Sequence, residues 1–171
     1  MSDFMVGNKV VHPCYGAGTI VRIQEKSIGD DVHSYYIIKT VSRSMQLMVP
    51  VSRADFFGLR MVGDQIVLRN QLRLCCDQPG EGEIESDLRA RQAGMRDQLK
   101  QGEYGGIAKI VRALFYLNSQ RPLGTVDRQL FEQGKEFLAG ELALAADMEL
   151  PEAIDQVQDH LAQMLRGEND E

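Results

Sequence analysis

Residues 4–20, FMVGNKVVHPCYGAGTI, decide the fold of the first part of this 171-residue chain. The Val10-Val11 pair favours a β-strand, and Pro13 ends it because proline has no amide hydrogen to donate to a sheet. The Gly16-Ala17-Gly18 segment allows backbone conformations that other residues avoid, so the chain can turn tightly there. The stretch therefore predicts a short strand, a tight turn and the start of a second strand.

Residues rich in valine, isoleucine and tyrosine continue to residue 50 and are interrupted by turn signals. Gly29-Asp30-Asp31 is typical of a hairpin turn, and Val41-Ser42-Arg43-Ser44 turns the chain again. Further strands are predicted over residues 19–25, 33–39 and 45–49. Four or five short antiparallel strands predict a small SH3-like or Tudor-like β-barrel over residues 1–60.

The spacing of apolar residues changes after residue 60 from a period of two to one near three and a half. Such spacing predicts amphipathic helices packed as a bundle. We expect Gly102 to end the second helix, Thr125 to cap the fourth and Pro151 to open the last. The predicted helices cover residues 64–74, 84–99, 107–115, 126–142 and 151–165, with a loop at 77–82. The chain is therefore predicted to be α+β, with a helical domain over residues 61–171.

Composition sets wide bounds on location and chemistry. The formal net charge is −6, and residues 147–171 hold eight acidic residues against the single Arg166. An acidic chain can bind nucleic acid only through a local basic patch, because phosphate contacts need clustered Lys and Arg. No apolar run approaches the ~20 residues that span a bilayer, and no secretory signal is evident. Three cysteines favour a reducing, cytoplasmic setting without a disulfide framework.

The search for enzyme motifs finds little. His12 and Cys14 lie close together but lack the paired spacing of a zinc site, so a structural histidine and a small cysteine are favoured. The neighbours Cys75 and Cys76 form no established redox motif. We therefore expect no catalytic residues, no metal and no cofactor, and an interaction protein is favoured. A thiol-based or metal-based sensor remains an alternative of a different class.

Four separated motifs resemble the CarD/CdnL family of bacterial transcription regulators. They are the opening pattern within residues 4–20, Met48-Val49-Pro50, Gly58-Leu59-Arg60 and the segment GELALA at 140–145. The resemblance spans roughly residues 4–165. It implies a Tudor-like domain that binds the β subunit of RNA polymerase, followed by a helical domain that contacts promoter DNA at the upstream edge of the bubble. It implies no enzymatic activity. From the chain itself we expect no membrane association, and we expect a monomer.

The resemblance also indicates which residues bind polymerase. In the family a strand edge of the β-domain pairs with the β subunit, and here that edge should be the segment 45–49, which includes Gln46 and Met48. An unpaired strand edge is a template for strand addition. Lys26 falls where a family arginine contributes, so it keeps the charge but not the forked geometry. The alternatives are a solvated charge for Lys26 and a packing role for Met48.

The DNA-contacting side departs more from the family. A family tryptophan that wedges against the bubble edge is absent, and Leu88 occupies its position in a chain without Trp. Arg89, Arg91 and Arg128 match positions that are basic in the family. At three other positions where family members often carry Arg or Lys, this chain has Tyr116, Leu117 and Gln133. Leu88 is therefore either a reduced wedge or a core residue, packed with Ile84, Met95 and Leu99.

These observations predict a regulator that is tethered to polymerase and acts weakly on promoter DNA during open-complex formation. The alternative is a polymerase-binding module without DNA contact.

Overall fold

The computed structural model describes residues 3–167. An antiparallel sheet comes first and α-helices follow, so the predicted α+β architecture is confirmed. The strands lie side by side in the order β4-β3-β2-β1-β5. They are β1 (Lys9–His12), β2 (Gly16–Ile28), β3 (Asp31–Thr40), β4 (Gln46–Pro50) and β5 (Arg60–Met61).

The predicted barrel is not closed within the described residues, because β4 and β5 form the two edges of the sheet and do not pair with each other. The long β2–β3 hairpin turns at Gly29, as predicted, with a positive φ of 66°. Gly18 lets β2 and β3 approach closely, since a Cβ there would lie 2.6 Å from the carbonyl oxygen of Lys39. Tyr36, Ile38 and other apolar residues fill the core on the inner face of the sheet.

Five helices follow in the described part of the chain. They are α1 (Gln65–Leu72), α2 (Leu88–Gln101), α3 (Tyr104–Gln120), α4 (Thr125–Ala145) and α5 (Leu150–Arg166). Gly102 ends α2 with φ 71° as predicted, and Pro151 lies in the first turn of α5. Thr125 is the first residue of α4 rather than its cap, a position that Gly124 occupies.

The start of α2 differs from the prediction. Asp87 caps the helix by accepting a hydrogen bond from the Ala90 amide at 2.9 Å, so Ile84 lies outside it. The short α1 also differs, because Leu68 and Leu72 are its buried residues. Its apolar residues Ile66 and Val67 are exposed instead.

The helices pack against the outer face of the sheet through α4. The Lys9 ammonium donates to the Leu144 carbonyl at 2.9 Å and pairs with the Asp147 carboxylate at 2.5 Å. The expected domain boundary after residue 60 falls inside β5, whose two residues pair with Val10 and Val11. Residues 168–171 of the acidic C-terminal segment lie outside the described residues.

Candidate functional site

The strand β4 presents a free edge. It pairs with β3 alone among the described strands, through the pairs Lys39–Gln46 and Ile37–Met48. Leu47 is buried on the core side, whereas Gln46 and Met48 are exposed on the other face. The unpaired amides and carbonyls of this edge can bind an extended segment from another chain.

Lys26 lies on the same face as Gln46 and Met48. It is opposite His33 in the β2–β3 hairpin, beyond the last β3–β4 pair, Tyr35–Pro50. Residues opposite each other in a sheet point to one face, and so do residues two apart on a strand. Their partners on β3 lie at alternate positions of that strand, so the three side chains lie on one face of the sheet. We call this face the β4 surface (Lys26, Gln46 and Met48).

Leu88 is the first residue of α2 and is 53% exposed. The alternative that it belongs to the core is therefore wrong, although Met95 and Leu99 of the same helix are buried. It borders a cavity of about 580 Å³ that is also lined by Leu117 and Pro122. An exposed apolar side chain at the end of a helix can contact an unstacked base step, as a wedge does.

The arginines predicted for DNA contact differ in their surroundings. Arg89 and Arg128 are exposed, and the Arg128 guanidinium donates to the Leu123 carbonyl at 3.3 Å. Arg91 instead pairs with Asp127 at 2.8 Å, and the two side chains are only 13% and 8% exposed. Arg91 therefore joins α2 to α4 and has little of its charge available to an external phosphate.

Two further basic residues belong to this surface, and the sequence analysis missed them. Arg96 and Lys100 follow Arg89 at spacings of 7 and 11 residues, which places all three on one face of α2 over about 16 Å. All three are exposed, and none forms an ion pair within residues 3–167. We call them the α2 stripe (Arg89, Arg96 and Lys100). The helical spacing alone could have revealed it.

The α2 stripe borders a groove of about 300 Å³ between α2, α4 and the β1–β2 turn. Lys100 and Gln133 line it, together with Cys14. The helix α2 carries four basic residues against the single Asp97, so it is locally basic in an acidic chain. Such a patch can attract phosphates even where the net charge is negative.

The surroundings of Cys75, Cys76 and His12 do not favour a thiol-based or metal-based sensor. Burial raises the pKa of Cys75 to about 12, and it also raises the pKa of Cys76, so both thiols are poor nucleophiles. His12 Nδ1 accepts a hydrogen bond from the Cys14 amide at 3.1 Å. Burial lowers the pKa of His12. No group of three potential metal ligands occurs among residues 3–167.

Two family models match separate parts of the chain. Residues 4–69 match the CarD-like/TRCF RID domain, and residues 78–158 match the CarD C-terminal domain. The chain belongs to the CarD family. It is 29% identical over 139 residues to the Bacillus subtilis (strain 168) protein named "Putative transcription factor YdeB", covering 81% of this chain and 90% of that protein. These matches identify this CarD-family chain as a transcription regulator.

None of the helices within residues 3–167 is both long and apolar enough to cross a bilayer.

Proposed function

We propose that this CarD-family protein binds the β subunit of RNA polymerase and modulates promoter open-complex formation or stability. The observation that carries the proposal is the free edge of β4, beside which Lys26, Gln46 and Met48 share one face. Main-chain hydrogen bonds along this edge would supply affinity, and the three side chains would supply specificity. The protein acts as a cytoplasmic monomer without catalytic activity or cofactor.

The helical domain adds a weak DNA contact. Leu88 lies one residue before Arg89, the first residue of the α2 stripe. One helix therefore presents both an apolar side chain and a line of basic side chains. Arg128 supplies a further exposed charge from α4. Three or four phosphate contacts give little affinity for free DNA, but tethering to polymerase raises the local concentration of this surface.

The alternative function is a polymerase-binding module without DNA contact. It is favoured by Arg91, whose guanidinium pairs with Asp127 instead of solvent. It is also favoured by Leu88, which has less apolar surface than the family tryptophan and no ring donor.

The test measures polymerase binding and promoter opening with the same full-length protein. Capture of purified polymerase, followed by footprinting of a promoter complex, should show binding and a change in open-complex lifetime. If the protein changes the open-complex lifetime only when its polymerase binding is intact, the tethered mechanism is supported. Binding without any change at the upstream edge of the bubble supports the alternative, and no capture of polymerase overturns both.

A further inference from the structure

A groove of about 300 Å³ lies directly beside the free edge of β4. One wall is the strand itself from Gln46 to Pro50, and the other is formed by the rings of His12, Tyr15 and Phe57. The His12 ring centroid lies 5.0 Å from that of Tyr15 and 6.4 Å from that of Phe57. The three rings therefore form a continuous, largely apolar wall.

We propose that this groove receives a bulky apolar side chain from the protein segment that adds to β4. The proposal rests on the proposed polymerase tether and names the kind of residue that the tether recognises. The strand edge indicates an extended polypeptide as the occupant, because its regularly spaced unpaired amides and carbonyls match those of another strand.

The register explains why a side chain of the added segment would enter the groove. The core face of β4 carries Leu47 and Val49, which are buried, and His12 belongs to the same face of the sheet as its neighbour Val10. In a segment paired with β4, every second side chain points to this core face. One of them would meet the three rings and fill the gap that the open sheet leaves.

The chemistry of the wall favours an aromatic or branched aliphatic residue. Aromatic rings pack against such side chains with specific edge and offset geometries, and burial of apolar area supplies the free energy. Because His12 Nδ1 accepts from the Cys14 amide, the neutral ring carries its proton on Nε2, which can donate to a carbonyl of the segment.

The first test compares three alanine variants of the full-length protein in binding to the purified polymerase β subunit by calorimetry. Tyr15→Ala and Phe57→Ala should each weaken binding about tenfold, because anchor residues in pockets contribute most of the binding energy. Phe56→Ala is the matched control, since this neighbouring ring is 75% exposed and does not line the groove. It should change the affinity by less than about twofold.

The second test needs no substitution, so it does not depend on the folding of a variant. In nuclear magnetic resonance spectra of the wild-type protein, the ring signals of His12 and Tyr15 should shift when the β subunit saturates β4. Rings that stay unchanged at saturation, or groove variants that bind as tightly as the wild type, overturn the groove while leaving the tether intact. No binding by the wild type overturns the tether as well. Shifts of the same rings with single-stranded DNA alone would assign the groove to nucleic acid and overturn the proposal.

Discussion

Arg60 of β5 and Glu141 of α4 form a two-point ion pair, with Nη1–Oε1 at 2.7 Å and Nη2–Oε2 at 2.8 Å. Arg60 also donates from Nε and Nη2 to the Gly102 carbonyl, and the Gly63 amide donates to Glu141 Oε1 at 3.1 Å. The pair of Arg60 and Glu141 thus joins the sheet edge, the α2–α3 turn and α4. The ion pair connects the domain that carries the β4 surface to the helices that carry the α2 stripe.

Removal of the arginine should cost more stability than neutralisation of the carboxylate. Glu141 is 3% exposed and Arg60 is 32% exposed, so Arg60→Met leaves a buried, unpaired charge. We expect a loss of about 3–5 kcal/mol in the free energy of unfolding. In Glu141→Gln, Arg60 keeps the Gly102 carbonyl and can be hydrated. We expect this variant to lose about 1–3 kcal/mol of unfolding free energy. Urea unfolding measures both losses of stability. Equal losses would contradict the assignment of Glu141 as the buried member of the pair.

Acid should weaken the fold through His12. Burial lowers the pKa of His12 from its ordinary value of 6.5, so near and below that pH the unfolded chain binds a proton that the folded protein resists. The free energy of unfolding should therefore fall as the pH drops from about 6.5 toward the lower, folded pKa. Protonated Nδ1 could also no longer accept from the Cys14 amide.

The variant His12→Gln isolates this effect, because the other acid-titrating groups are common to both proteins. The stability advantage of the wild type over the variant should shrink between pH 7.5 and pH 5, measured by urea unfolding. The rings of Tyr15 and Phe57 pack against the His12 ring. A constant difference would show that His12 does not contribute to acid sensitivity.

The sequence predicts a helix or strand well where its apolar spacing or turn residues are distinctive and where many of its residues are buried. In α3, the residues that fit the helical period are buried, as at Ile107, Ile110 and Leu114. In the eight-residue α1, the apolar residues Ile66 and Val67 face solvent, because a short helix offers several faces and tertiary packing selects one. The β-hairpins were predictable for the same local reason, from their turn residues.

Charge reversal at Lys26 should weaken the polymerase tether without unfolding the protein. Lys26→Glu replaces an exposed charge on the β4 surface, so binding to the β subunit should fall several-fold, while exposed charges contribute less than about 1 kcal/mol to stability. The matched control is Arg166→Glu, which makes the same charge change on α5. Calorimetry measures the binding and thermal melting measures the fold. Equal weakening by both variants would indicate a general effect of net charge.

Loss of the α2 stripe should reduce the salt dependence of promoter-DNA binding. Each phosphate contact contributes about 0.9 to the slope of log K against log salt concentration. The variant Arg89→Ala/Arg96→Ala/Lys100→Ala should therefore lower the slope by about 2–3 and shorten the open-complex lifetime, with polymerase binding intact. An unchanged slope and lifetime would favour the function without DNA contact.

Arg91→Ala is the control for this experiment, because it removes one α2 charge that is engaged inside the protein. It leaves Asp127 buried without its ion pair, so the loss should be about 3–5 kcal/mol of unfolding free energy. The salt slope should stay close to that of the wild type at temperatures where the variant is folded.

The roles of Arg91 and Leu88 could not be separated by sequence spacing. Arg91 meets Asp127 across 36 positions of the chain, and nothing in the local sequence marks that pairing. Leu88 shares a helical face with buried Met95, yet it stands at the first turn, where the helix borders an open cavity. Helical periodicity gives the face of a residue but not whether a neighbouring element covers it.

A tryptophan at position 88 should strengthen the wedge. Because Leu88 is 53% exposed beside a cavity of about 580 Å³, Leu88→Trp should fit without overpacking and leave the melting temperature nearly unchanged. The larger ring brings more apolar surface and an indole donor to an unstacked base step, so the open promoter complex should decay more slowly. Leu88→Ala, the matched control, should speed decay for the opposite reason. Melting and open-complex decay are measured on the same preparations, and decay that is unchanged in both variants would show that position 88 does not contact the bubble.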